Sequence, residues 1–343
     1  MNYTLKVVEV RKETSDTVTF CFKQPGLKKL KYFAGQYLSL ILVINGRRYV
    51  RPYSFSSAPG FDSNLEITVK RVKNGIVSNH LLDMVSVGDS IEVMPPMGDF
   101  VFNSDNVYSD VYLWGVGSGI TPLISITKFI LHSGLPINVH LIYGNRTHES
   151  TIFAQTIVAL EQQYPHRFKV YHFRTRLSVD QDSALIIEGR IEEKSAIKIL
   201  ATHPDHSNTS HYICGPSGLK DSVKRALYVL GIKEESIFSE EFELVKDPQQ
   251  FLDIHTQNVI VKYSGKEYML EVTKGKSILE SALDANIDLP YSCQTGNCST
   301  CKGRLISGET KMIGLSKTRN DLREDEYLLC CSHPLTENVY IEI

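Results

Sequence analysis

The chain has 343 residues, 42% of them apolar and 22% charged, and a formal charge of −2. That length exceeds one comfortable hydrophobic core, so more than one domain is expected, and near-neutrality provides no strong field for nucleic acid or an anionic membrane. Seven cysteines, an odd number mostly bunched late in the chain, suit metal or redox chemistry better than a disulfide framework.

The N-terminus, "MNYTLKVVEVRKETSDTVTF", alternates like a strand and lacks an apolar signal core. No apolar run reaches the roughly 18 residues of a membrane span, so a cytoplasmic location is expected. Over residues 1–104, "TVTFCFK", "QYLSLILVI", "LEITVKRV" and "DSIEVM" are short strands separated by turn residues, which predicts an antiparallel barrel or sandwich. Within this segment lie "RPYSFSSAPG" from Arg51, "GIVS" from Gly75 after "ITVKRV", and "PPMGDF" ending at Phe100.

Over residues 105–245 the rhythm changes. "DVYLWGV", "NVHLIYG" and "SHYICG" are apolar strands, while "TPLISITKFILHSG", "IFAQTIVALEQQY" and "GLKDSVKRALYVLG" have helical spacing, so a parallel sheet covered by helices is expected. The loop "WGVGSGITP" has glycines at 115, 117 and 119 and is not the dinucleotide fingerprint G-x-G-x-x-G. Thr121 as a cap and Pro122 in the first turn would leave backbone amides free to meet a phosphate. The polar stretch at 246–257 reads as a linker. Residues 258–343 open with a hairpin around Ser264-Gly265, followed by a helix with capping-box spacing at Ser277 and Glu280.

Charge differs between the ends: residues 1–104 carry a net +4 and residues 258–343 a net −2, with acids bunched at Asp321, Glu324, Asp325 and Glu326. Solvated faces explain this most simply; a basic domain docking an acidic one is the other reading.

Cys293, Cys298 and Cys301 have the spacing C-x4-C-x2-C of plant-type 2Fe–2S proteins. Gly296 and Gly303 are candidates for positive φ, and the small Ser292, Ser299 and Thr300 leave amides free to face sulfur. A structural zinc is the alternative, although its sites more often use paired CxxC arrangements. The fourth ligand must come from the adjacent Cys330 and Cys331.

These motifs resemble two families. Residues 259–343 are similar to plant-type ferredoxin. In that family the last ligand commonly lies four residues before a proline, which selects Cys330; its usual number of intervening residues would select Cys331. Cys330 is the expected ligand, with the three upstream cysteines.

The rest resembles the ferredoxin–NADP⁺ reductase superfamily. The resemblance implies that Arg51, Pro52, Tyr53 and Ser54 hold FAD, with Tyr53 on the isoalloxazine, Ser54 near N5 and Arg51 at the pyrophosphate. Val69, Lys70, Gly75, Ile76, Val77 and Ser78 would supply a second phosphate-binding loop, and Phe100 would help cover the flavin. Gly117, Ser118, Gly119, Thr121 and Pro122, then Asn145 and Arg146, then Cys214, Gly215 and Pro216 would bind NADH or NADPH, with Leu219 replacing the family's usual Met. Tyr53, Ser54 and Cys214 are the implied catalytic residues. "Glu240-Glu-Phe242" resembles the motif that closes this domain, with Phe242 at the cofactor.

The implied architecture is multidomain: an antiparallel β-barrel flavin domain, an α/β nicotinamide domain with a parallel sheet, and an α+β ferredoxin-like (β-grasp) 2Fe–2S domain. The implied activity passes a hydride from NAD(P)H to flavin and then single electrons through the cluster to a partner oxygenase. A membrane desaturase or hydroxylase as acceptor, or a zinc-stabilised binding module, are the competing readings.

Overall fold

The structure is a computed structural model that describes residues 2–26, 29–106, 108–176, 186–202, 205–244, 246–315 and 318–343. The chain divides into two compact units, Met1–Leu40 with Tyr53–Glu240 and Ile41–Pro52 with Glu241–Ile343.

The first sheet is built from β1 (Tyr3–Thr14), β2 (Thr17–Lys23), β3 (Tyr37–Ile44), β4 (Arg47–Ser54), β5 (Asn64–Lys70) and β6 (Ser90–Val93), with helix α1 (Ile76–Met84) after β5. Its strand order is β4-β3-β6-β1-β2-β5. Phe55, just past β4, bridges Ile67 on the opposite edge strand, which closes the sheet into the expected barrel. β-Branched and aromatic side chains drive the closure, with Phe20, Phe22, Phe55, Leu65 and Ile67 fully enclosed.

The chain then forms β7 (Asp110–Val116), α2 (Ile120–His132), β8 (Asn138–Asn145), α3 (Ala154–Gln163), β9 (Phe168–Arg174), β10 (Ile186–Glu188), α4 (Glu193–Leu200), β11 (Thr209–Cys214), α5 (Ser217–Val229) and β12 (Ile237–Glu240). The strands form a parallel sheet ordered β10-β9-β8-β7-β11-β12. Alternation along β7 sends Val111 and Leu113 into one apolar layer and Tyr112 and Trp114 into the other. Neighbours β8 and β11 flank β7, so strand order reverses there, and ligands bind at the carboxyl ends of strands beside such a reversal. Ser125 on α2 donates to the Ser57 carbonyl at 2.6 Å, and Lys128 pairs with Asp62 at 2.7 Å, tying this layer to the barrel loop.

In the second unit, β13 (Gln257–Tyr263) pairs antiparallel with β14 (Lys266–Val272) through a turn whose Ser264 and Gly265 both have positive φ. Helix α6 (Ile278–Asp284) follows, then β15 (Lys302–Ser307), β16 (Thr310–Met312), β17 (Glu326–Leu328), β18 (Ser332–Pro334) and β19 (Val339–Glu342). The five-stranded sheet runs β14-β13-β19-β15-β17, with β13 and β19 parallel. Ser277 and Glu280 form the expected capping box at α6, with bonds of 3.1 and 2.7 Å.

Two local expectations change. The polar stretch read as a linker contains a 3-10 turn at Pro248–Phe251, and Phe251 and Ile254 are buried against Ile313. Two apolar anchors outweigh the polarity of their neighbours. Thr121 lies inside α2 and donates to the Ser118 carbonyl at 3.0 Å, so it is not a side-chain cap.

Candidate functional site

Ser54 ends β4 and is buried, while Tyr53 beside it is half-buried. Ser54 hydrogen bonds the carboxyl of Glu240, the last residue of β12. Glu240 is the register partner of Cys214 on the adjacent strand. Thus Ser54, Glu240 and Cys214 meet at the carboxyl edge of the parallel sheet. Burial pushes the Glu240 carboxyl up to about 8, against the opposing Ser54 bond. The residue as a whole is half-buried, but its Oε2 is enclosed and has no partner among the described residues. Burial, reinforced by the Glu240 charge, also holds the Cys214 thiol well above its ordinary value. At neutral pH the group is therefore predominantly uncharged and retains protons. Glu240 was visible in the sequence only as part of a closing motif; nothing local announced its carboxyl.

The glycine loop packs against the same edge. Gly117 has φ +57° and begins a 3-10 turn to Gly119, and Tyr143 donates to the Gly117 carbonyl at 2.9 Å. A Cβ on Gly119 would stand 2.1 Å from the Cys214 carbonyl oxygen, so the two loops meet backbone to backbone. Pro122 occupies the first turn of α2, and the Ile120 amide that opens the helix donates to the Gly117 and Ser118 carbonyls of the preceding 3-10 turn. Pro216 sits at the N-cap of α5, with Gly215 before it. At the end of β8, Asn145 is buried with its Nδ2 unpartnered among the described residues, and Arg146 is exposed. An orphaned buried amide beside a glycine loop suits a polar nucleotide.

On the barrel, Gly75 is the N-cap of α1, followed by Ile76, Val77 and Ser78. Ser78 Oγ already accepts the Val72 amide at 3.1 Å. Val69 points into the core and Lys70 pairs with Asp16 at 3.7 Å, so the first amides of α1 are the better anion donors. Phe100 is buried edge-on against Tyr212, 5.5 Å between ring centres. These barrel and sheet features suit the FAD and nicotinamide implied by the motifs.

Arg51 and Phe242 cluster with the second unit. Arg51 donates to the Val50 carbonyl at 2.8 Å, and Phe242 is 45% exposed.

In the second unit, Cys293, Cys301 and Cys330 are buried and Cys298 is partly so. Their thiols lie close together: Cys293 contacts Cys298, and Cys330 contacts both Cys301 and Cys331. Among the described residues no three His, Cys, Asp or Glu side chains converge closely enough for one ion. Four cysteine thiolates are the donor set that would hold a 2Fe–2S cluster. The amides of Thr295 and Cys298 point at Cys293 Sγ, at 3.4 and 3.3 Å. Mutual hydrogen bonding raises the Cys293 thiol and lowers that of Cys298, its partner. Cys331 is fully buried, its sulfur 3.5 Å from that of Cys330 and packed against Gly296 of the cysteine loop.

Gly296 has φ +75°, as expected; Gly303 does not, and is small because a Cβ would stand 2.7 Å from Ile341. The other left-handed residue of the loop is Gln294, at φ 59°. Sequence reading also passed over Arg319. Its nearly enclosed side chain donates to the Gly296 carbonyl, to Ser299 Oγ at 2.7 Å and to Asp321 at 2.7 Å, bracing the cysteine loop.

Comparison with known proteins agrees with this layout. Residues 4–102 match an oxidoreductase FAD-binding domain, 113–225 an oxidoreductase NAD-binding domain, and 261–336 a 2Fe-2S iron-sulfur cluster binding domain. The ferredoxin reductase component of 3-ketosteroid-9-alpha-monooxygenase from Rhodococcus rhodochrous is 32% identical, over 98% of this chain and 96% of that protein. One of the subunits of 1,2-phenylacetyl-CoA epoxidase from Escherichia coli is 30% identical, over 99% of this chain and 97% of that protein. Among solved structures, phthalate dioxygenase reductase matches with a TM-score of 0.69 and 25% identity, over 100% of this chain and 98% of that one. The chain belongs to the ferredoxin–NADP⁺ reductase superfamily, among the reductase components that join FAD-binding, NAD-binding and C-terminal 2Fe–2S domains to transfer electrons to an oxygenase.

Proposed function

We propose that this chain draws electron pairs from NADH or NADPH and delivers them one at a time to a separate iron-containing oxygenase. The observation that carries this reading is the gathering of Cys293, Cys298, Cys301 and Cys330 in one set of mutually interacting thiols, a donor set for a one-electron centre beside the flavin and nicotinamide motifs. When bound, FAD supplies the exchange between hydride and single electrons. Every other requirement falls on the chain. Tyr53 offers its ring as a face for the flavin, and Ser54 holds a hydroxyl where a proton must come and go. Glu240, with its pKa near neutrality, passes that proton in either direction. The first amides of α1 and the glycine loop before α2 take phosphates, Asn145 and Arg146 take the adenosine side, and Cys214 with Gly215 and Pro216 lines the nicotinamide side. Cys293, Cys298, Cys301 and Cys330 hold the cluster. Seven free thiols suit a reducing compartment such as the cytoplasm.

Partner identity rests on the relatives, several of which serve oxygenases acting on small organic substrates. The test is anaerobic addition of NADH and of NADPH, followed at separate flavin and cluster wavelengths, to wild type and to Cys293→Ser, Cys330→Ser and Cys331→Ser. Wild type and Cys331→Ser should bleach at both wavelengths. The other two should retain flavin bleaching and lose the cluster signal. A cluster intact in Cys330→Ser and absent in Cys331→Ser would overturn the ligand assignment. A colourless wild type after reconstitution with FAD, iron and sulfide would overturn the function.

A further inference from the structure

The β3–β4 hairpin grips the cysteine module through the first residues of β4. Asn45 and Gly46, at φ 52° and 77°, make the tight two-residue turn that sets the hairpin's register. Immediately after it, Arg47 Nη2 donates to the Leu283 carbonyl at 2.8 Å and reaches Asp284 at 3.2 Å, at the C-terminal end of α6. A cation is favoured there because the last carbonyls of a helix lack intrahelical donors. Arg48 pairs with Asp288 at 2.8 Å and lies over the Tyr291 ring, 5.9 Å from its centre.

Two residues beyond Arg48 the strand is bonded to the cysteine loop itself. The Val50 amide donates to the Tyr291 hydroxyl at 3.0 Å, and Gln294 Nε2 donates to the Val50 carbonyl at 3.4 Å. Tyr291 and Gln294 bracket Cys293. Val50 and Tyr291 are buried, so this junction is shielded from water while the arginine pairs at its rim are partly exposed.

We propose that Arg47 and Arg48 form an electrostatic latch that seats the cysteine loop on β4, the strand that carries Tyr53 and Ser54 three and four residues beyond Val50. Tyr291 and Gln294 act as positioning residues. This rests on the function proposed above. The latch governs the passage of electrons into the cluster and leaves the hydride step untouched, because none of its residues belongs to the nucleotide loops. Exposed ion pairs are individually weak and salt-screened, so the seat is reversible.

The experiment compares holoprotein wild type with Arg48→Glu, Asp288→Arg and the double charge swap, by anaerobic stopped flow with NADH and by hydrogen exchange at the Val50 amide. We expect flavin bleaching within about twofold in every variant. Cluster bleaching should slow roughly threefold to tenfold in either single variant, return to within about twofold in the swap, and slow in wild type as salt rises. Val50 exchange should accelerate in the single variants and recover in the swap. Unchanged cluster rates and Val50 exchange in the single variants, or a swap as slow as its parents, would overturn the latch. A wild type with no cluster signal would instead sink the functional reading, and Val50 exchange in the same variants would still decide the latch.

Discussion

Glu240 has a carboxyl enclosed at the edge of a parallel sheet, hydrogen bonded by Ser54 and strand-paired with Cys214. Because burial raises its pKa from 4.5 to about 8, the folded chain holds a proton that the unfolded chain releases above about 4.5. The associated stability is fully present below 4.5 and is lost as pH rises through 8, a swing on the order of 5 kcal/mol at most. Without FAD, the melting temperature of wild type should therefore fall between pH 5 and 8 relative to Glu240→Gln. Parallel melting curves for the two proteins would show that the carboxyl is already ionised in the fold. The same titration gives Glu240 its use, since a group with a pKa near the working pH can both accept and return a proton.

At the scale of elements, the loop between β7 and α2 shows how backbone contact constrains sequence. Gly119 has ordinary helical φ, so its smallness serves close approach, not left-handed geometry. Gly119→Ala would drive a methyl into the Cys214 carbonyl and separate the two nucleotide loops. Flavin reduction by NADH should slow by more than about tenfold, while reduction by dithionite, which needs no nucleotide loop, should persist. Equal NADH rates in the two proteins would refute the packing argument. Much of this loop was legible beforehand because its signal is local: glycines, then a proline in the first helical turn. The cysteine spacing and the Ser277–Glu280 cap were legible for the same reason.

Arg319 and Glu240 were not readable in that way. Each acts across the fold, from a polar loop and from a four-residue strand, and neither position has a periodic pattern. The turn at Pro248–Phe251 was not foreseen, because two apolar residues anchor a stretch that is otherwise polar. Elements β9, α4 and β12 also passed unnoticed: their apolar residues are few or broken by charge, and neighbouring layers stabilise them more than their own propensity does.

For the whole molecule, spatial grouping departs from chain order. Residues 41–52 are contiguous with the barrel in sequence yet cluster with 241–343. Sequence showed only a faint trace of this, in a basic N-terminal segment and an acidic C-terminal one. The contacts that make the grouping link residues some 240 positions apart, beyond the reach of any local pattern. What the sequence did convey was the order of three chemistries along one chain, because each motif is short and specific.

Two redox centres sharing this polypeptide are the foundation of the proposed electron path. Anaerobic titration with dithionite, counted against protein and read at flavin and cluster wavelengths, tests that most directly. Full reduction should consume about three electrons per chain, two assigned to flavin and one to a 2Fe–2S cluster. Uptake of about two electrons by a protein reconstituted with FAD, iron and sulfide would contradict it.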